Sequence, residues 1–478
     1  MTTEFIAWQA EIVRGLARPD QFVTTCIAYE RPAIEDERLS RALDITSGNA
    51  YYRMQDRLGL PEAGRSAQSW TTDGTWSLYA TGDRMYASKQ KPFLVTETNA
   101  AAIGQPWMNE PAYDGQWRQA AWSLISRGAG MIEYWHWHTL PYGAETYWGG
   151  VLPHSLEPGR VYAQVAALGR ELRAAGQRVT GLRPDAQVGL VYSTESAWAL
   201  AEFPALGGSA GPDRRSFRHI LDAFYRGAFE AGLQSRFLHP AQFATRPPAE
   251  VAAELPVLVA AGVTILDDAA LRWLRAYAEA GGPLVLGIRT GYEDELARAR
   301  PQRKPAFLDE AAGAWYDEFS TIDRPVPVLG AGGLVVPDGS TGTAWIDGLT
   351  ASGAEVLAAY AHPHFSRWPA ITTHAHGAGR VTYAGTVPDP PLASALMTWV
   401  ADRAGVPRDW APQSPAQTVT GAVNAAGEHL RFVHSWSWDG SAFTFPAAAS
   451  DVATGETFAT GSRIDLGPWD VRVLVEHP

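Results

Sequence analysis

The first part of the chain alternates between helical apolar stripes and short apolar runs. It opens with apolar side chains at the spacing of one helix face, which predicts an amphipathic helix rather than a strand. These side chains are Phe5, Trp8, Ile12 and Leu16. Strand-like runs follow at 22–29, 43–47, 92–95 and 131–137, and further helical segments lie at 34–42, 76–88, 116–126 and 161–172. This alternation predicts four β/α units, half of an eightfold parallel barrel.

Two further patterns follow the barrel segment. Near-continuous apolar runs, typical of buried parallel strands, occur at 188–192, 255–260, 283–287 and 381–384. Helical segments at 217–231 and 268–280 separate the first three, which predicts a doubly wound α/β domain. From Trp410 onward, short alternating segments at 430–434, 442–445 and 471–475 predict a small antiparallel β domain, similar to a β-sandwich. The expected domains are 1–182, 183–407 and 408–478.

A half barrel raises the question of what closes it. Four parallel strands cannot form a closed barrel, and an open half exposes an apolar interior and unpaired strand edges. We therefore expect the other half to come from another polypeptide or from a longer version of the gene. A smaller, self-sufficient sheet is a less favoured alternative.

Composition narrows the class of protein. The chain has 478 residues, of which 46% are hydrophobic and 19% charged, as in globular proteins with several domains. A net charge of -12 argues against a nucleic-acid partner. The single cysteine, Cys26, excludes an intrachain disulfide and is expected to be a small buried hydrophobe. No basic leader and no apolar run of about 18 residues occurs, so we expect a cytoplasmic protein without a membrane partner.

Glu97 is the principal candidate for chemistry. It follows the 92–95 run directly, and the C-terminal ends of barrel strands are where reacting groups lie. A surface or helix-capping glutamate is the alternative. Aromatic residues that suit stacking on a sugar ring are dense nearby. They are Trp107, Tyr134, Trp135, Trp137, Tyr147 and Trp148.

Three segments carry a resemblance to a known family. Residues 92–99, the 131–138 segment MIEYWHWH and the segment GAETYWGGVLPH from Gly143 resemble the C-terminal half of the catalytic barrel of glycoside hydrolase family 42 β-galactosidases. The middle domain is similar to the class I amidotransferase-like trimerisation domain of that family. The resemblance implies a retaining glycosidase that hydrolyses terminal β-D-galactosides by double displacement. It also implies a homotrimer, with no cofactor and no metal.

The resemblance assigns roles to five residues. Glu97 matches the nucleophile, and Tyr51 matches a tyrosine close to it, with core packing as the alternative. Glu145 matches a residue that binds sugar hydroxyls, with a loop salt bridge as the alternative. Trp107 is a candidate stacking wall, although a core tryptophan is equally expected. Trp148 stands where many relatives have histidine, so stacking replaces a polar contact there.

One departure governs the functional hypotheses. In the family the general acid/base is a glutamate in an Asn-Glu pair well before the nucleophile, and no such pair precedes Glu97. Asn109-Glu110 follows the nucleophile and is interpreted as coincidence. The first hypothesis is a β-galactosidase that hydrolyses only when the N-terminal barrel half is supplied. The second is a non-catalytic assembly or sugar-binding remnant.

Amidotransferase activity and a histidine metal site are both disfavoured. An active amidotransferase needs a cysteine nucleophile in the middle domain, and residues 187–407 contain none. Four histidines lie between 361 and 376 without a carboxylate or thiol among them, so hydrogen-bonded or solvated histidines are favoured over a metal site. They are His362, His364, His374 and His376.

Overall fold

The computed structural model describes residues 1–29, 31–52, 75–104, 106–107, 109–436 and 438–477. The chain divides into two compact units. The first unit combines Met1–Asp185 with Arg408–Pro478, and the second is Ala186–Pro407.

The N-terminal part of the first unit is a parallel four-stranded sheet with helices between its strands. The strands pair in chain order and are β1 (Cys26–Ile27), β2 (Thr46–Ala50), β3 (Phe93–Asn99) and β4 (Ala129–Trp135). The helices are α1 (Thr2–Leu16), α2 (Asp36–Arg41), α3 (Thr75–Ala87), α4 (Gln116–Ser126) and α5 (Arg160–Ala175). This arrangement confirms the predicted half barrel. Among the described residues, no strand pairs with the outer edge of β1 or of β4.

The two sides of β1 differ, and this corrects the expectation for Cys26. Ile27 is buried in a cluster with Ala10 of α1 and Leu39 of α2. Neighbouring residues of a strand point to opposite faces, so Cys26 faces away from those helices. Its side chain is exposed, and the prediction of a buried cysteine was wrong. The prediction used only the general preference of cysteine for the core. It did not consider that helices cover one face of the sheet and that Cys26 points to the other.

Buried ion pairs fix α3 against its neighbours. The Arg84 guanidinium pairs with the Asp36 carboxylate on α2. Arg127, directly after α4, pairs with Asp83 at 2.5 Å, and all four side chains are buried. Each of the four charged side chains has a partner of opposite charge, so no buried charge is left unpaired in these two contacts.

The second unit is built on five parallel strands. Their spatial order is β9 (Ser235–Leu238), β6 (Val188–Val191), β10 (Val257–Ala260), β11 (Pro283–Leu286) and β19 (Gly379–Ala384). In chain order this is 2-1-3-4-5, a doubly wound arrangement, as predicted. The main helices are α6 (Thr194–Glu202), α7 (Ser216–Glu230), α10 (Asp268–Glu279) and α12 (Pro390–Arg403), with shorter α8 (Pro240–Phe243), α9 (Pro248–Glu254) and α11 (Asp309–Ala312).

Antiparallel strands extend this sheet beyond β19. The extension comprises β13 (Phe319–Thr321), β14 (Val326–Gly330), β15 (Thr341–Asp347), β17 (Glu355–Tyr360), β18 (Pro369–His376) and β20 (Thr386–Pro388). Two small pairs complete the unit: β7 (Gly207–Gly208) with β8 (Gly211–Pro212), and β12 (Ala314–Trp315) with β16 (Thr350–Ala351). These strands were not predicted from the sequence.

The C-terminal residues form an antiparallel sheet within the first unit. Its six strands, in spatial order, are β25 (Thr457–Phe458), β24 (Ala449–Asp451), β27 (Val471–Glu476), β22 (His429–Ser435), β21 (Gln417–Val423) and β5 (Arg183–Pro184). A separate pair consists of β23 (Ser441–Thr444) and β26 (Arg463–Leu466). Alternate residues divide the sheet into two faces: Phe432 packs with Trp122 of α4, whereas Val433 packs with Trp410 and Phe443. The predicted small antiparallel β domain is confirmed.

Candidate active site

Glu97 lies near the C-terminal end of β3, where the strand is irregular. The register against β2 shifts between Gly48 and Asn49, and the register against β4 shifts between Val95 and Thr98. Both shifts insert one extra residue in β3. Such a bulge turns a side chain away from the regular alternation of the strand, and bulges of this kind are common beside active sites.

Two side chains from the end of β2 hold the Glu97 carboxylate. The Asn49 amide donates a hydrogen bond from Nδ2 to Oε2 at 2.6 Å, and the Tyr51 hydroxyl donates to the same oxygen at 2.9 Å. Residues two apart on an extended segment share one face, so Asn49 and Tyr51 reach Glu97 together. Oε1 receives no hydrogen bond from the described residues.

The backbone that carries Tyr51 is fixed from the neighbouring strand. Asn99 accepts a hydrogen bond from the Tyr52 N–H at 3.1 Å and donates one to the Tyr52 carbonyl at 3.0 Å. The Thr98 hydroxyl donates to the Ala50 carbonyl at 2.7 Å. Asn99 is itself buried. Tyr51 is therefore anchored on both sides, although its own ring is 41% exposed.

The local charges keep Tyr51 a hydrogen-bond donor. Burial, the hydrogen bond to Glu97 and the negative charges of Glu97 and Glu145 raise the pKa of Tyr51 well above its usual range. Glu145, in the loop after β4, thus lies close enough to act on the same site. Partial desolvation raises the pKa of the Cys26 thiol; the hydrogen bond with Thr96 opposes this rise, and the charge of Glu97 adds to it.

Trp107 and Trp148 lie on two loops that hydrogen bonds join to each other. Backbone bonds join Ala101 and Ala102, after β3, to Gly149 in the loop after β4, at 3.0 and 2.9 Å. The Trp148 indole donates to the Gly104 carbonyl at 2.8 Å. Trp107 follows on the first of these loops, and its side chain is 76% exposed. An indole so exposed is free to stack on a ligand.

The structure brings the predicted site residues together to different degrees. Tyr51 contacts Glu97 directly, Glu145 acts on Tyr51 through its charge, and Trp148 is bonded to the loop that carries Trp107. Sequence reasoning missed Asn49, the closest partner of Glu97. The available signal was its position two residues before Tyr51, at the C-terminal end of the neighbouring parallel strand.

Three of the four histidines between 361 and 376, namely His362, His364 and His374, have local hydrogen-bond partners. His362 Nδ1 accepts from the backbone N–H groups of His364 and Phe365, both at 3.1 Å, and His374 Nδ1 lies 3.0 Å from the Ala311 carbonyl. In the described parts of the chain, no three His, Cys, Asp or Glu side chains are placed to hold a metal ion. No helix in those parts is both long and apolar enough to cross a bilayer.

A carboxylate at the C-terminal edge of parallel barrel strands lies where barrel-type glycoside hydrolases place each of their two catalytic carboxyl groups. Comparison with known proteins agrees with this class. The family model described as "Beta-galactosidase" matches residues 1–175, and the one described as "Beta-galactosidase trimerisation domain" matches residues 186–407. The chain belongs to glycoside hydrolase family 42.

Individual relatives support this assignment. Beta-galactosidase BgaB of a Geobacillus species is 27% identical over 383 residues, which cover 80% of this chain and 52% of that protein. Beta-galactosidase Bga of Halorubrum lacusprofundi is 27% identical over 419 residues, covering 84% of this chain and 56% of that protein. This chain therefore spans about half the length of these relatives.

Solved structures show the same fold. The crystal structure of beta-galactosidase from Bacillus circulans sp. alkalophilus superposes with a TM-score of 0.84 at 19% identity, covering 99% of this chain and 66% of that chain. The beta-galactosidase of Halorubrum lacusprofundi gives a TM-score of 0.79 at 23% identity, covering 100% of this chain and 66% of that chain.

Proposed function

We propose that this chain is the nucleophile-bearing part of a retaining β-galactosidase, with Glu97 as the nucleophile. The observation that carries the proposal is the pair of hydrogen bonds, from Asn49 and Tyr51, that hold one oxygen of Glu97 at the C-terminal end of β3. The two donors fix the position of the carboxylate, and a nucleophile must be held in place to attack the anomeric carbon.

In this proposal the two oxygens of Glu97 have different roles. Oε2 is held by two donors, whereas Oε1 accepts none from the described residues and can bond to the anomeric carbon of the sugar. Attack forms a galactosyl ester and displaces the leaving oxygen, which needs a proton from a second carboxyl group. Water then hydrolyses the ester. Loss of general acid catalysis typically costs about 10²- to 10⁴-fold in rate.

The remaining candidates supply the sugar contacts in this proposal. Glu145, whose charge acts on Tyr51, accepts hydrogen bonds from sugar hydroxyls. The exposed indole of Trp107 stacks on the apolar face of the ring. Trp148 supports the loop that carries Trp107 through its hydrogen bond to Gly104.

The general acid is proposed to come from the other half of the barrel. The outer edges of β1 and β4 are unpaired within the described residues, and parallel strands from a complementary half would close both. Helix α1 presents the apolar row predicted from the sequence, and these side chains are exposed. Their exposed fractions are 53% for Phe5, 56% for Trp8, 47% for Ile12 and 86% for Leu16. A half barrel, on a longer chain or on a second polypeptide, would cover this row.

Covalent labelling with an activated 2-deoxy-2-fluoro-β-galactoside tests the proposal. The activated leaving group needs no general acid, and the fluorine slows hydrolysis of the ester, so the adduct accumulates. We expect one label per chain by intact mass and a modified peptide containing Glu97. The Glu97→Gln variant should remain unlabelled, whereas Glu110→Gln, which changes a glutamate in the loop after β3, should label normally.

The opposite result leads to the second hypothesis. If a folded sample, verified by circular dichroism, gains no label, the half site does not react by itself. The chain is then an assembly or sugar-binding remnant, and equilibrium binding of galactose should be measured next.

We propose further that residues 186–407 assemble the protein as a homotrimer. The supporting observation is the match of this whole unit to a domain described by its trimerisation. The unit also lacks cysteine, the nucleophile of an active amidotransferase, so assembly is the role that its chemistry leaves open.

A further inference from the structure

The Asn49 amide is held in one orientation, with donors at its oxygen and the accepting Glu97 carboxylate at its nitrogen. Its Oδ1 accepts a hydrogen bond from the Cys26 thiol at 2.9 Å and from the Thr96 hydroxyl at 3.3 Å. A thiol and a hydroxyl can accept as well as donate, and the Thr96 hydroxyl also lies 3.2 Å from the Gly48 carbonyl. The Glu97 carboxylate only accepts, so it decides which end of the amide faces it. The Nδ2 end must then face Glu97, where it donates at 2.6 Å.

This orientation matters because the reverse one would repel the nucleophile. If the amide turned over, Oδ1 would face the Glu97 carboxylate, and two acceptors would lie where a donor and an acceptor now meet. Cys26 on β1, Asn49 on β2 and Thr96 on β3 thus form a chain of contacts that ends at the reacting group. Hydrogen bonds to charged groups are the stronger class, so the last bond has the largest effect.

We infer that Asn49 is a positioning residue for the nucleophile, which holds Oε2 of Glu97 and leaves Oε1 to react with the sugar. The inference rests on the proposed function, because it concerns how Glu97 reacts. The groups near Glu97 on neighbouring elements are Cys26 on β1 and Asn49 and Tyr51 at the end of β2, and Glu145 after β4 acts on Tyr51. Asn49 differs from the others in donating a hydrogen bond without titrating itself.

Alkylation of Cys26 tests the arrangement without any sugar. The chain has one cysteine, so the pH dependence of its reaction with iodoacetamide reports a single thiol. Glu97→Gln removes a nearby negative charge and should lower the apparent pKa of the thiol. Asn49→Asp places a carboxylate 2.9 Å from the sulfur and should raise it, by about one unit or more. Asn424→Asp, the same change in the C-terminal sheet region, should leave it at the wild-type value.

The labelling reaction tests the consequence for chemistry. In Asn49→Asp two carboxylates lie side by side, so one of them holds a proton to higher pH. The midpoint of the pH profile for labelling at Glu97 should therefore rise by about one unit or more, and the rate at neutral pH should fall at least tenfold. A residue with only a packing role would lower the rate at every pH without moving the midpoint.

The results separate this inference from the proposed function. Labelling of the wild type with an unchanged midpoint in Asn49→Asp would overturn the positioning role and leave Glu97 as nucleophile. If the wild type gains no label, the proposed function fails for this chain, and the pKa of the Cys26 thiol alone tests the inference. A thiol pKa that shifts in the two variants then supports the inference. A thiol pKa that stays the same in both Glu97→Gln and Asn49→Asp overturns it.

Discussion

At the scale of single residues, the setting of Glu97 depends on which side chains of β2 point to the same face of the sheet. Asn49 and Tyr51 both reach the Glu97 carboxylate, and Asn99 fixes the backbone of Tyr52, directly after Tyr51. Glu97 was predictable from its place after an apolar strand, and Tyr51 from the resemblance. Asn49 was not predicted, because its role depends on a bulge in β3 that no periodicity reveals.

Removing the Tyr51 hydroxyl should slow the reaction of Glu97. Tyr51→Phe deletes one of the two donors to Oε2 while keeping the ring, and a hydrogen bond to a charged group contributes about 1.5–3 kcal/mol. Because the tyrosine is partly exposed, we expect the low end, roughly a tenfold loss of labelling rate. Tyr162→Phe on α5 is the matched control. An unchanged rate in Tyr51→Phe would remove this tyrosine from the site.

A buried carboxyl in the second unit should make its stability depend on pH. Burial raises the pKa of Asp347 from 3.8 to about 7, although Trp345 and Tyr383 donate hydrogen bonds to it at 2.8 and 2.7 Å. The folded state therefore binds the proton more tightly than the unfolded chain. The stabilisation is complete below pH 3.8 and is lost as pH rises toward 7, by up to about 1.4 kcal/mol per pH unit.

Calorimetric unfolding between pH 5 and pH 8 can check this dependence. Asp347→Asn should flatten the fall in Tm of the second unit, because an amide has no proton to lose. Asp338→Asn, at an exposed position, should show the same dependence of Tm on pH as the wild type. Equal slopes in all three proteins would mean that Asp347 does not titrate in this range.

At the scale of elements, helix α4 joins the half barrel to the C-terminal sheet. Trp122 packs against the sheet and its indole donates to Glu171 at 3.1 Å, while Gln119 donates to the Ser435 carbonyl at 2.6 Å. Beside them, the ring nitrogens of buried His434 lie 3.4 Å from the Tyr79 hydroxyl and 3.3 Å from the Ser123 hydroxyl. These contacts explain why the two segments form one compact unit despite their separation in sequence.

The buried histidine at this junction should make the first unit sensitive to acid. Burial, and next the charge of Arg118, lower the pKa of His434 from 6.5 to about 3. At a pH between these two values, the unfolded chain therefore binds a proton at this histidine and the folded unit does not. Stability present above pH 6.5 should be lost as pH falls toward 3, by up to about 1.4 kcal/mol per pH unit.

Urea unfolding at pH 7 and pH 5 can measure the effect. His434→Gln should reduce the difference between the two pH values, since glutamine does not titrate, even if the loss of stacking on Trp436 lowers stability at both. His477→Gln, at an exposed position, is the control and should keep the full difference. A difference that survives in His434→Gln would assign the acid sensitivity to another group.

Elements with a continuous apolar sequence were predictable, and the others were not. The runs that became β6, β10, β11 and β19 are buried on both faces, so apolar residues fill nearly every position. Strand β14 alternates buried and exposed residues over only a few positions, and β9, with the sequence SRFL, is too short and mixed to stand out. Such strands are specified by their pairing with neighbours, which lie far away in the sequence.

At the scale of the whole molecule, the exposed apolar surface of the half barrel is a separate property from the assembly proposed for residues 186–407. Helix α1 buries Ala10 against β1 and α2 but leaves Phe5, Trp8, Ile12 and Leu16 exposed. An exposed apolar row of this kind favours association with a complementary surface. The proposed trimer, in contrast, depends on the second unit alone.

Mass measurement of two proteins can distinguish these contributions. We expect the wild type to form trimers by native mass spectrometry, together with larger species that increase with concentration as α1 rows associate. Trp8→Lys with Ile12→Lys places charges on the exposed row, so the larger species should disappear while the trimer remains. Loss of the trimer in this variant would assign assembly to α1 instead of residues 186–407, and a monomeric wild type would contradict the proposed homotrimer.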